Sequence, residues 1–124
     1  MPFDSVIDSN RRLIVTTGTG VLTGNEGLAC CTQLKTQPGF NPAFNQLLDL
    51  TRATRFDVTR HELQRIADES LLSSVSRRAI VAANPTIFGL ARMFQSYRDL
   101  SQVGEQIMVF GDIDSAIGWL AERD

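Results

Sequence analysis

The sequence predicts an α/β fold in which a mixed, mostly parallel sheet of about five strands packs against about four helices. Two observations support this. Strand-like runs of aliphatic and β-branched residues alternate with helix-like segments along most of the chain, and the two runs at the amino end are close enough to form an antiparallel hairpin. The 124 residues suffice for one core and are too few for two domains. We therefore expect a single domain over residues 1–124.

The hairpin is predicted from two strands and the turn between them. Ser5–Asp8 forms the first strand, and Arg12–Thr17, which is rich in β-branched residues, forms the second. Asn10 lies between them and is a residue type that tight turns favour. The first two strands should therefore be antiparallel neighbours.

A capping motif marks the start of the first helix. Thr23 is followed three residues later by Glu26, and at this spacing each side chain accepts a hydrogen bond from a free backbone amide at the helix start. Pro38 and Gly39 end the helical pattern, so this helix should reach about Gln37.

A buried strand and a second capped helix follow. Asn45–Leu50 is a short apolar run of the kind found in buried strands. Thr59 opens the helix with a second motif of the same kind, and Val58 and Leu63 hold the positions at which two apolar side chains pack across a helix start. The polar segment 51–59 between strand and helix is expected to be a loop.

Two further strand–helix pairs complete the chain. Arg78–Ala83 predicts a third interior strand, after which Asn84 caps a helix that begins at Pro85. Glu105–Phe110 predicts the last strand, and Asp112 caps the closing helix. Parallel strands joined through helices form right-handed crossovers, which produce a layered architecture.

Charge and composition exclude several classes of function. Twelve basic residues against fourteen acidic ones give a net charge of -2, which disfavours nucleic-acid binding. No apolar run approaches the roughly 18 residues that a membrane-spanning helix needs, and the first residues carry no export signal. The adjacent pair Cys30–Cys31 is too close for an ordinary disulfide. A reduced, cytoplasmic protein is therefore expected.

No constellation of catalytic or metal-binding residues stands out. His61 is the only histidine, so a zinc site has no ligand set. The glycines of Thr17–Gly24 lack the spacing of a nucleotide-binding loop. Cys30–Cys31 allows two interpretations, a thiol-reactive pair near a helix start or inert thiols on a buried helix face. We expect no metal and no cofactor.

Several segments of the second half resemble a known family. They are Arg77–Ala83, Phe88–Gln95, Val109–Asp112 and Ala116–Leu120. Together with the order of elements, they resemble small bacterial proteins of the STAS/SEC14-domain group, which have the SpoIIAA-like fold of the STAS superfamily. The resemblance extends over the whole chain and rests on packing motifs. It implies this fold and a protein that acts by binding, and the SEC14 name implies lipid or other apolar ligands.

The resemblance to the STAS superfamily also implies partner binding like that of anti-sigma-factor antagonists. In those proteins a serine of an Asp-Ser-Ser segment at a helix start is phosphorylated. The stretch Thr51–Thr59 has no Asp-Ser pair, and Thr59 supplies the hydroxyl at the helix start instead. A phospho-regulated partner-binding module, with Thr59 or a nearby serine modified, is therefore one alternative.

Two arginines before the second helix predict an anion-binding site. Arg52 and Arg55 follow a strand end, where ligands of open α/β sheets tend to bind, and the helix start at Thr59 offers free amides. Guanidinium groups are well suited to phosphate or carboxylate. In the alternative interpretation the arginines are solvated or pair with Asp49 and Asp57, and Thr59 serves only as a cap.

Apolar side chains on the third helix predict a second contribution to binding. Phe88 and Met93 lie off the main apolar stripe of residues 84–97 and would contact an apolar ligand, a protein partner or a second copy of the chain. We therefore predict a non-catalytic binding or regulatory module. Its predicted ligand-binding residues are Arg52, Arg55, Thr59, Phe88 and Met93. The competing prediction is an enzyme acting on a small phosphorylated or thiol-reactive substrate, which would need several titratable groups within hydrogen-bond reach.

Overall fold

The structure is a computed structural model that describes residues 2–101 and 104–122. In these residues five strands form one sheet in the order β1-β2-β3-β4-β5, and four helices pack on its two faces. In chain order the elements are β1 (Phe3–Asp8), β2 (Leu13–Thr23), α1 (Gly24–Thr36), β3 (Asn45–Asp57), α2 (Arg60–Asp68), β4 (Arg77–Val81), α3 (Pro85–Ser101), β5 (Gln106–Phe110) and α4 (Ile113–Ala121).

The sheet has the predicted mixture of strand directions. β1 and β2 form an antiparallel hairpin, and all other neighbouring strands are parallel. In the hairpin turn an Asp8 carboxylate oxygen accepts hydrogen bonds from the amides of Asn10 and Arg11, each at 3.1 Å. Such a local bond to the backbone stabilises the turn and places the two strands side by side. The predicted α/β architecture is therefore confirmed.

All four helices begin at the capping residues that the sequence predicts. Thr23 and Thr59 each form a complete capping box with the glutamate three residues later. Asn84 accepts from the amides of Thr86 and Ile87, and Asp112 accepts from the amide of Ser115. Because these side chains bond the first free amides of each helix, they determine where the helix starts.

The predicted ends of the second and third strands are wrong. β2 continues to Thr23 and β3 to Asp57, so most of the expected loop over residues 51–59 is strand. The pairing of β2 with β3 shifts register twice between Thr17 and Val21. Bulges of this kind interrupt the two-residue alternation by which a strand is recognised in a sequence. Only two residues separate β3 from α2.

The helices divide unequally between the faces of the sheet. α4 packs alone on one face, where Ala116 and Leu120 contact Ala79 and Val81 of β4. α1, α2 and α3 pack on the opposite face, and their core surrounds Ile80 with apolar residues of β2, β3 and the helices. The two faces of the interior strands are thus both buried, as expected for parallel sheets.

α2 packs mainly against its two neighbouring helices, whereas α1 and α3 contact strands directly. The contact with α1 is close because two glycines face α2. A Cβ atom on Gly24 would lie 2.7 Å from Cδ of Glu62, and one on Gly27 would lie 3.1 Å from Cδ1 of Ile66. Between α2 and the strands beneath it there is unfilled space.

Candidate functional site

A cavity of about 90 Å³ lies between α2 and the sheet. A buried water molecule needs roughly 10–15 Å³ of such space, so the cavity is several times larger than one water requires. Its walls are mostly apolar and come from β3 and from the three helices on this face of the sheet. The β3 and α2 walls are Leu48, Leu50, Phe56, Leu63 and Ile66, and the α3 wall is Ile87, Leu90, Ala91 and Phe94.

The cavity reaches solvent on its helix side. Cys30, Ile66 and Leu90, one from each covering helix, are only half-buried although they line the cavity. Phe3 and Phe56 are also half-buried there and contact each other edge to face, with ring centroids 6.4 Å apart. A molecule entering the cavity would therefore pass between helices or past these rings, since α4 covers the far side of the sheet.

The floor of the cavity is polar at one end. Gln46 Nε2 donates to Thr16 Oγ1 at 2.9 Å, and Thr16 Oγ1 lies 2.8 Å from Ser5 Oγ. Gln46 is directly opposite Arg78 in the pairing of β3 with β4. Thr16, Gln46 and Arg78 all line the cavity. They lie near the amino ends of β2, β3 and β4, whereas Leu50 and Phe56 follow farther along β3.

Arg78 belongs to a buried cluster of three charged side chains. Its Nη1 lies 3.4 Å from one carboxylate oxygen of Glu105, and Nη2 of Arg98 lies 3.2 Å from the other. Arg98 also donates to the carbonyl oxygen of Ala67 in α2 at 2.6 Å. All three charged residues are at most 7% exposed. Two guanidinium groups share one carboxylate, so these three described side chains together carry one positive charge in excess.

Arg78 presents charge and a free hydrogen-bond donor at the cavity. Its Nε is buried without a hydrogen-bond partner in the described structure. Burial lowers the pKa of the Arg78 guanidinium, and the neighbouring Glu105 carboxylate opposes this shift. Arginine nevertheless stays protonated in proteins, because its ordinary pKa lies far above neutral pH. The guanidinium carbon lies 5.6 Å from the ring centroid of Phe94, a favourable cation–π distance.

Cys30 and Cys31 are free thiols in the part of the wall that α1 contributes. Burial raises the pKa of Cys30 to about 11, and burial also raises the pKa of Cys31. Both thiols are therefore protonated at neutral pH, and a protonated thiol is a poor nucleophile. This favours the interpretation of the pair as inert thiols on a buried helix face.

One of the solved structures that match this chain is an uncharacterized protein from the DUF3478 family of Shewanella loihica PV-4 with a SpoIIAA-like fold. The match has a TM-score of 0.57 and 16% sequence identity, and it covers 96% of this chain and 92% of the other. The chain has the SpoIIAA-like fold. The fold implied by the sequence resemblance is thereby confirmed. No protein-family model and no curated protein sequence matches the chain.

The residues predicted to bind an anion lie outside the cavity of this SpoIIAA-like fold. Arg52 and Arg55 are exposed on β3, where Arg55 Nε pairs with an Asp57 carboxylate oxygen at 2.8 Å. Thr59 Oγ1 accepts from the amide of Glu62 at 3.1 Å and thereby caps α2. The expected open loop is absent because β3 continues almost to the cap. Anion binding by these residues stays a prediction.

The two predicted apolar contact residues on α3 differ in their surroundings. Phe88 is half-buried and packs against the core beneath the helices. Met93 is 37% exposed and does not line the cavity, and neither does Phe88. Contact between these side chains and a ligand or second chain also stays a prediction.

His61 is exposed on α2 and does not line the cavity. Within residues 2–101 and 104–122, no three His, Cys, Asp or Glu side chains are grouped so that they could hold a metal ion. No helix in the same residues has the length and apolar character needed to cross a membrane.

Thr16, Gln46 and Arg78 were not predicted to be functional. Each is a polar residue directly beside an apolar residue of its strand, and such residues are buried only where they have partners. Arg78 directly precedes the apolar residues Ala79–Val81 of β4. This signal could have identified the three positions individually. Their convergence depends on the pairing register, which the sequence does not reveal.

Proposed function

We propose that the protein binds a small, largely apolar molecule in the cavity beneath α2 and does not catalyse a reaction on it. The cavity of about 90 Å³ is the observation that carries this proposal. Protein interiors are normally packed as densely as organic crystals, so a space of this size is unusual within a core. Small-molecule sites are typically concave and mostly apolar with a few polar groups, which describes this cavity.

The groups that line the cavity favour binding over catalysis. General acid–base or nucleophilic catalysis needs titratable groups within hydrogen-bond reach of each other and of the substrate. Among the lining residues, Cys30 and Cys31 have raised pKa values and no carboxylate is present. His61, the only histidine of the chain, is on the outer surface of α2. The resemblance to STAS/SEC14-domain proteins, which implies lipid or other apolar ligands, supports the same class of ligand.

Binding of 1-octanol tests the proposal. We expect saturable binding in isothermal titration calorimetry, and weaker binding by at least about tenfold in Ala91→Leu, because the larger side chain occupies the cavity. Ala121→Leu is the matched control, since Ala121 is exposed at the end of α4 and the variant should bind like the unaltered protein. Absence of saturable octanol binding, or equal binding by Ala91→Leu, would contradict the proposed function.

A further inference from the structure

We infer that the molecule bound in the cavity carries a single carboxylate, which Arg78 binds, on an apolar body that fills the rest of the cavity. This inference rests on the proposed binding function and specifies the chemical class of the ligand. It follows from three features of the cavity: the unbalanced charge at its floor, the free donor of Arg78, and the separation of polar and apolar lining along the strands.

The first feature is the charge balance of the buried cluster. Among residues 2–101 and 104–122, Glu105 is the one carboxylate within ion-pair distance of Arg78, and it also pairs with Arg98. Both cysteines facing this region are protonated thiols and add no negative charge. A buried cation is costly unless an anion or several acceptors compensate it. One negative charge from a ligand would balance the cluster.

The second feature is that Arg78 can still donate a hydrogen bond. Its Nε is buried and has no hydrogen-bond partner in the described residues, although the side chain lines the cavity. Buried donors are nearly always bonded. Arg78 is the member of the charged cluster that lines the cavity, so a ligand bound there would be within reach to supply the missing acceptor. Carboxylate oxygens are strong acceptors for guanidinium groups.

The third feature is the amphipathic shape of the cavity. The polar lining residues lie near the amino ends of their strands: Thr16 in β2, Gln46 in β3 and Arg78 in β4. The apolar wall formed by Leu50 and Phe56 lies toward the carboxyl end of β3. A ligand with one polar end and an apolar body satisfies both parts at once. A phosphate dianion is less suitable because its second charge would exceed the single positive charge available.

Four matched compounds test this inference: octanoate, 1-octanol, acetate and octyl phosphate. Their binding is measured by calorimetry at pH 8, where a carboxylic acid is ionised. We expect octanoate to bind at least about tenfold more tightly than octanol, as a charge-assisted hydrogen bond would require. Acetate should bind much more weakly than octanoate because it lacks the apolar body. Octyl phosphate should also bind more weakly than octanoate.

Variants of Arg78 test whether this side chain itself causes the preference for octanoate over octanol, or whether any nearby positive charge does. Arg78→Met should remove the preference for octanoate over octanol, whereas Arg78→Lys should keep part of it because the positive charge remains. Arg92→Met removes a charge from the exposed side of α3 and should change neither affinity. If Arg78→Met does not fold, the comparison of octanoate with octanol in the unaltered protein still decides the inference.

The outcomes distinguish the inference from the proposed function. If octanol binds at least as tightly as octanoate, the carboxylate is wrong and the apolar site remains. If acetate or octyl phosphate matches octanoate, the assigned ligand class is wrong. If the preference for octanoate persists in a folded Arg78→Met protein, Arg78 is not its source. If neither octanol nor octanoate binds, the proposed function itself is contradicted.

Discussion

Enlarging one side chain inside the cavity should make the folded protein more stable. Ala91 lies on α3, is 6% exposed and lines the cavity, so leucine at this position would extend into a space of about 90 Å³. The substitution adds three carbon atoms, and burial of each contributes about 0.8 kcal/mol. Ordering a leucine side chain costs about 0.5–1 kcal/mol, which leaves a gain of about 1.5 kcal/mol.

Urea unfolding of Ala91→Leu at equilibrium, without added ligand, measures this gain. A matched control is Ala116→Leu, because Ala116 is fully buried against Ala79 and Val81 on the opposite face of the sheet. The same enlargement there should overpack the core and lower the free energy of unfolding by about 1–3 kcal/mol. If both variants are destabilised to the same extent, the space beside Ala91 is not available and the cavity argument is refuted.

Three further predictions concern the helices around the cavity. Gly24→Ala should destabilise the protein by about 1–3 kcal/mol in urea unfolding, because its Cβ would collide with Glu62. Gly89→Ala is the control: its Cβ would meet no atom within 4 Å, so it should stabilise the protein by about 0.5–1 kcal/mol. Equal effects of the two substitutions would contradict this prediction. Thr59→Ala should lower the free energy of unfolding by about 1 kcal/mol, because it removes the cap of α2. Thr59→Ser should keep most of that stability, since a serine hydroxyl also caps a helix. An unchanged free energy of unfolding in Thr59→Ala would show that the cap is not needed. The pKa of Cys30 is about 11 in the folded chain against 9.0 ordinarily, so the unfolded chain loses this proton first as pH rises. The free energy of unfolding should therefore fall between about pH 9 and 11. It should fall less in Cys30→Ala, which lacks the thiol. A pH profile identical in the two proteins would contradict the raised pKa.

The order of elements and the helix starts could be predicted because their signals are local. A capping box requires only two residues three positions apart, and both Thr23 and Thr59 form the bonds that this spacing predicts. The alternation of strands with helices then restricts the sheet to a mostly parallel arrangement, which the pairing confirms. These features do not depend on which distant residues meet.

The length of β3 and the cavity could not be predicted because both depend on distant partners. Residues 51–57 have a polar composition, and they are strand because β2 pairs with them across an irregular register. The cavity depends on how α2 packs against its neighbouring helices, and Gln46 and Arg78 become neighbours only through strand pairing. The site predicted from residues 51–59 therefore does not include the polar residues near the amino end of β3.

β3 extends beyond its pairing with β4, and Asn84 Nδ2 donates to the carbonyl oxygen of Thr54 in the extension at 3.5 Å. β4 pairs with β3 only opposite Gln46–Asp49, so residues 51–57 have no strand on that side in the described part of the chain. An unpaired strand edge can add a strand from a second molecule and start aggregation, and charged side chains on an edge oppose this. Arg52 and Arg55 lie on this segment and are exposed. Arg55 is paired with Asp57, so we expect mainly the charge of Arg52 to oppose edge-to-edge association of folded chains.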